Sequence, residues 1–255
     1  MSKLVKKLRQ VSENAAQPLG FKTAPLSAGR QMLLIASVPH SHSGMVAQLA
    51  RTEIDAILLD NRNLKGTMDI RHLAADAGEV ALGLWLNLEG EQYVEQFKQA
   101  GGDFLVFEAG SAAATLLQEE ELGKVLRVDP CRDENLACTI DQLPIDVVIL
   151  DVKTEEDVLT VSDLMHCQWL AGLVDKPLLV ASRQELTDRE IRSLREVAVR
   201  GIVAELPEKQ IGDSLARMSQ TIKTLPPRKK KLSEKKALIP RLGYGYEEAE
   251  EPEET

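Results

Sequence analysis

The stretch Asp146–Lys153, DVVILDVK, decides how the rest of the chain is read. Four apolar residues, three of them β-branched, run from Asp146 into Asp151, and Val152 and Lys153 follow. A run apolar on both alternating faces fits a strand covered on both sides of a parallel sheet. Such a strand presents its charged residues at its C-terminal end. Units of the same kind recur: MLLIASV (Met32–Val38), AILLD (Ala56–Asp60), VALGLWLN (Val80–Asn87) and FLVFE (Phe104–Glu108) precede it. KVLRVD (Lys124–Asp129) comes next before it, and PLLVAS (Pro177–Ser182) and GIVAEL (Gly201–Leu206) follow. Most begin 20 to 25 residues after the one before.

Helical patterns fill the gaps. Tyr93, Val94, Phe97 and Ala100 form an apolar stripe closed by Gly101-Gly102, a C-cap signal. Leu116, Leu117 and Glu120 precede Gly123 in the same way. Thr154–Asp157 and Thr187–Glu190 read as capping boxes, and Ile211, Leu215, Met218 and Ile222 give the last helix its buried face. Eight strands alternating with eight helices is the pattern of an α/β (βα)8 TIM barrel, here over residues 31–224. An open doubly wound sheet is the competing layout. It carries a GxGxxG turn after its first strand, whereas this chain reads Pro39-His-Ser-His-Ser-Gly44. Residues 1–30 supply an amphipathic helix (Leu4, Val5, Leu8, Val11) that packs on the barrel, then a loop.

Residues 225–255 change character, from the basic PPRKKKLSEKK through ALIPRLGYGY to the acidic EEAEEPEET. This composition predicts a tail that is disordered when alone. Seven basic and seven acidic side chains cancel there, so the net charge of −9 belongs to the barrel. That charge argues against nucleic acid as a partner. The tail reads first as a solubilising segment, and alternatively as the surface for a protein partner, over residues 226–255, with Ile239–Tyr246 as a docking motif. Cys131, Cys138 and Cys167 have no CxxC spacing and read as reduced thiols. No apolar run approaches membrane-spanning length and the N-terminus lacks a signal-peptide core, so the expected location is cytoplasmic.

The segments QAGGDFLVFEAG (Gln99–Gly110) and KPLLVAS with LREVAVRGIVAEL (Lys176–Ser182, Leu194–Leu206) resemble the strand entries of TIM-barrel enzymes of the aldolase and phosphate-binding type. The resemblance is one of architecture, and it implies an active site at the C-terminal ends of the strands. Phosphate-binding barrels carry Gly-rich loops after the last two strands. Ser182-Arg183-Gln184-Glu185 and Glu205-Leu206-Pro207-Glu208 contain no glycine, so a standard phosphate site is not expected.

The residues at the strand ends are Asp60, Asn87, Glu108, Asp129, Asp151 with Lys153, Ser182 and Glu205. Residues two apart share a face, so Asp151 and Lys153 point together, as do Arg127 and Asp129. If Val147/Ile149 and Phe104/Val106 form the inner layers, then Asp151, Lys153 and Glu108 face the mouth. Three chemistries use these groups. Lys153 on the sixth strand resembles the Schiff-base lysine of class I aldolases, with Asp151 as proton shuttle. Asp151-Val-Lys153 is similar to the Asp-x-Lys motif of the orotidine monophosphate decarboxylase family, which carries it on the third strand. His40-Ser-His42 resembles the HxH of the amidohydrolase barrels, and Glu108, Asp129 or Asp151 would complete a site for a divalent cation.

The leading reading is a lyase- or aldolase-like enzyme acting on a small carbonyl or carboxylate metabolite. Lys153, Asp151, Glu108 and Asp129 are its catalytic candidates, and Asp60, Asn87, Arg183 and Glu205 bind substrate. The rival is a non-catalytic barrel that works as an adaptor or assembly subunit through its tail. An acid at a strand end also commonly caps the next helix, and a lysine beside an aspartate is often a solvated ion pair. Trp85 belongs to the core or floors a ligand pocket.

Overall fold

Strict alternation along each apolar run places one set of side chains inside a barrel and the other beneath a ring of helices. The computed structural model describes residues 2–15, 30–39, 43–60, 70–130, 134–152 and 158–226. Its strands are β1 (Leu33–Pro39), β2 (Ala56–Asp60), β3 (Ala81–Leu86), β4 (Phe104–Glu108), β5 (Gly123–Val128), β6 (Val147–Asp151), β7 (Leu178–Ser182) and β8 (Val199–Ala204). All pairings are parallel. Each strand pairs with the next, and β8 closes on β1 through Leu33↔Gly201 to Ala36↔Ala204. The helices are α1 (Lys3–Ala15), α2 (Ser43–Leu49), α3 (Ile70–Ala77), α4 (Val94–Gln99), α5 (Glu134–Thr139), α6 (Val161–Leu173), α7 (Asp188–Glu196) and α8 (Glu208–Thr224).

The inner set comprises Leu33, Ile35, Leu58, Trp85, Phe104, Val106, Val125, Val147, Ile149, Leu179 and Val203, with Ala56, Ala81 and Ala181 as small partners. The expected parity of Phe104/Val106 and Val147/Ile149 is the observed one. Two large aromatic rings fit inside because small residues face them. A Cβ on Gly83 would lie 2.2 Å from the Phe104 ring, so only glycine leaves room there. The outer set, including Leu34, Ile57, Leu84, Leu105, Val148 and Ile202, forms a second core beneath the helices.

Helix α1 does more than pack against the outside. Its buried face of Leu4, Val5, Leu8 and Val11 is continuous with the barrel's inner cluster, so α1 plugs the end from which the strands start. Asp103, just before β4, fixes its first turn. The carboxylate accepts hydrogen bonds from Ser2 Oγ (2.7 Å), Lys3 N (2.5 Å) and Leu4 N (2.9 Å). A carboxylate at this position satisfies helix N–H groups that have no partner within the helix and favours the N-terminal end of the dipole.

Two local readings change. Between β4 and β5 the expected helix is replaced by short 3-10 turns at Ala109–Ser111 and Ala114–Gln118, with Leu116 the buried contact. The connection from Glu108 to Gly123 is short and carries too few apolar positions for an amphipathic helix. The capping-box segment Thr154–Asp157 lies outside the described residues. Helix α6 has its own box, in which Thr160 and Asp163 cap each other, and Thr187 and Glu190 cap α7 as the sequence predicts. Among the described residues, no helix is long and apolar enough to cross a membrane.

Candidate functional site

With one end plugged, the C-terminal ends of the strands form the opposite end, the mouth of the barrel. The inward position after Val125 on β5 is Arg127, where an apolar layer would otherwise continue. Its side chain is only 2% exposed. The guanidinium lies over the Trp85 ring, 4.6 Å from its centroid, so this core tryptophan also faces a buried cation. One nitrogen donates to Asp151 Oδ2 of β6 at 2.6 Å, and another donates to Glu205, just past β8. Burial works against the charge of Arg127, but hydrogen bonds and attraction from Glu205 and then Asp151 outweigh it and raise its pKa above the ordinary value. The cation lodged between these two carboxylates is therefore a fixed guanidinium.

Arg183, just past β7, covers the cluster from outside. It approaches Asp151 Oδ2 at 3.5 Å and Glu205 Oε2 at 3.6 Å, and 61% of its side chain stays exposed. Asp151, Arg183 and Glu205 were expected at the mouth, and barrel closure brings them together around Arg127. Ser182 is turned to its own loop, donating to Gln184 O at 3.0 Å. Asp60 and Asn87 end β2 and follow β3 across the mouth, half-buried. Lys153 lies two residues beyond Asp151, outside the described residues, as do His40 and His42. Among the described residues no three His, Cys, Asp or Glu side chains gather as a metal site.

Glu108 and Asp129 are exposed and belong to a second feature, a cleft of about 290 Å³ beside the mouth. Arg127 contributes to its lining. Ile140 next to α5, Leu150 of β6 and Trp169 and Leu170 of α6 supply apolar walls, while Glu108, Asp129 and His166 bring polar atoms. His166 Nδ1 is buried with no hydrogen-bond partner among the described residues. On the buried side of α6, Cys167 is fully buried, and burial followed by the charge of Asp163 pushes its thiol up to about 12. It is an inert core residue.

The residue that sequence reasoning missed is Arg127. Its sequence signal was present: a lone arginine at an inward position of KVLRVD, flanked by Leu126 and Val128, has no ordinary place in a barrel interior.

No family model matches this sequence, and no curated protein does. Solved structures do. Tryptophan synthase from M. tuberculosis, in its aminoacrylate-bound form, is 14% identical, with 88% of this chain and 97% of that chain covered and a TM-score of 0.58. A mutant tryptophan synthase alpha-subunit from the hyperthermophile Pyrococcus furiosus is 13% identical, with 74% and 96% covered and a TM-score of 0.59. At such identities the likeness is one of fold, and with the closed ring of eight parallel strands it identifies the chain as a TIM barrel.

Proposed function

We propose that this barrel is a lyase- or aldolase-like enzyme that handles a small carbonyl or carboxylate metabolite at the C-terminal mouth of its strands. The observation that carries the reading is the Arg127–Asp151–Glu205 cluster sunk into an otherwise apolar interior. A buried ion pair is seldom retained for stability, because apolar replacements of similar volume are often as stable or more so. A charged cluster at the C-terminal mouth of this fold is where chemistry is expected. The two solved structures compared above are of tryptophan synthase, which agrees with an enzyme at the level of fold alone.

In this reading the exposed face of Arg183 takes the substrate's carboxylate, replacing its two long contacts with a close bidentate pair. Asp151 and Glu205, held in place by Arg127, accept protons or hydrogen bonds from the bound molecule. Lys153 is the candidate nucleophile. Its amine adds to a substrate carbonyl, water leaves, and the resulting imine draws electrons from the bond to be broken. Borohydride treatment of the full chain with a panel of oxo-acids tests this. A covalent adduct at Lys153, lost in Lys153→Ala and reduced in Arg183→Ala, is the expected result. Absence of any adduct on the wild type removes the Schiff-base step.

A second reading, a non-catalytic adaptor, is favoured by the outer face of α6. Val161 and Met165, one turn apart, are 74% and 66% exposed. Such a pair suits a protein contact.

A further inference from the structure

Ser37 stands apart from the other buried polar residues. It lies on β1, and alternation from Leu33 and Ile35 of the inner cluster turns its side chain into the barrel at the mouth end. The residue is 5% exposed. Ser2, Ser182, Ser214 and Ser219 are buried likewise, and each donates a hydrogen bond within the protein. The Ser37 side chain makes none among the described residues. The unpartnered atoms that are wholly sealed belong to Arg30, His166, Gln184 and Arg195, so the Ser37 hydroxyl is not closed off. Packing alone is met by alanine, as at Ala56, Ala81 and Ala181 of the same cluster. A buried hydroxyl costs free energy unless something supplies it with a partner.

Its neighbours indicate which partner. Continuing the register Ala36↔Ala204 by one residue sets Ser37 beside Glu205, and continuing Ser182↔Ala204 sets Glu205 beside Arg183. The hydrogen bond from Glu205 N to Ser182 O, 2.8 Å, carries the ladder to that point. Arg183, Glu205 and Ser37 therefore form one inward row at the ends of β7, β8 and β1, on strands about 4.8 Å apart. The row offers a cation, an acceptor, and a hydroxyl that donates or accepts. A carboxylate has about four acceptor sites, more than the contacts of Glu205 with Arg127 and Arg183 fill. A ligand carbonyl here would set a second acceptor against Glu205, whereas an alcohol donates to Glu205 and accepts from Ser37.

We infer that the mouth takes a 2-hydroxy acid, its carboxylate on Arg183 and its hydroxyl between Ser37 and Glu205. The inference rests on the reading of the mouth as a carboxylate site, but on neither Lys153 nor an imine. Ligand-observed NMR titration of the full chain with lactate, propionate and 1,2-propanediol, which share one carbon skeleton, tests it. Lactate is expected to saturate in the millimolar range, with propionate and the diol each at least about tenfold weaker. Ser37→Ala should weaken lactate about tenfold and leave propionate unchanged. Its urea midpoint should not fall, because no internal hydrogen bond is lost. Arg183→Ala should weaken both acids. Equal binding of lactate and propionate to the wild type overturns the inference alone. So does a Ser37→Ala variant that keeps lactate, loses both acids together, or unfolds at lower urea, which would give the hydroxyl a structural role. Binding of neither acid overturns the carboxylate reading of the mouth and the inference with it.

Discussion

At the scale of single residues, Arg127 is the most consequential side chain. Removing it leaves Asp151 and Glu205 buried, with only the longer contacts of the exposed Arg183 to offset their charges. Arg127→Met is therefore expected to cost about 3–5 kcal/mol, read from urea unfolding. The triple change Arg127→Met, Asp151→Leu, Glu205→Leu removes every member of the cluster together. It should recover most of that loss, because an apolar layer replaces a buried polar one. A triple variant as unstable as the single one would show that the cluster holds the barrel together and would weaken the case for a site. The parity of Asp151 was legible from Val147 and Ile149 beneath it, since a strand alternates strictly. The partnership of Arg127 with Glu205 was not. The two residues are 78 positions apart, and only closure of β8 onto β1 makes β5 and β8 face each other across the mouth.

At the scale of elements, the clearest case is the start of α7. Glu190 Oε2 accepts from Thr187 N at 2.8 Å and from Thr187 Oγ1 at 2.6 Å, while its Oε1 accepts from Leu159 N at 2.9 Å. The same side chain thus caps α7 and ties it to the segment entering α6. Burial opposes the ionised form of Glu190, but the hydrogen bonds from Thr187 and Leu159 prevail and its pKa falls below the ordinary 4.5. The folded state then holds fewer protons than the unfolded state just below pH 4.5. Stability from this group is complete above that value and is lost as the pH falls through the lowered pKa. Glu190→Gln should cost about 1 kcal/mol at neutral pH, with the difference from wild type shrinking toward zero in acid. A difference that stays constant with pH would contradict the role of the charge. The Thr187 box was readable because Thr and Glu stand at the required spacing just before an apolar stripe. The β4–β5 connection was misread because Leu116 and Leu117 look helical locally, whereas the turn length and the packing of Leu116 decide the outcome.

At the scale of the whole molecule, the two ends of the barrel are unlike. One is sealed by α1 with apolar side chains, and the other holds the charged cluster, the cleft and the exposed Arg183. Eight evenly spaced apolar runs made the barrel legible, but nothing in the amphipathic N-terminal segment distinguished a plug from a helix lying on the outside. Asp103→Ala tests the seal. Loss of a buried carboxylate that satisfies three donors should lower stability by about 1–3 kcal/mol. Deleting residues 1–15 should expose the inner cluster to a hydrophobic dye. An unchanged urea midpoint for Asp103→Ala would refute its anchoring role. The seal also has a consequence in time. A ribosome releases α1 before any strand, yet its seat is built from residues about 100 positions later and from a ring that closes only when β8 arrives. Helix α1 is therefore made before its seat exists, and it is seated only after the ring it plugs has closed.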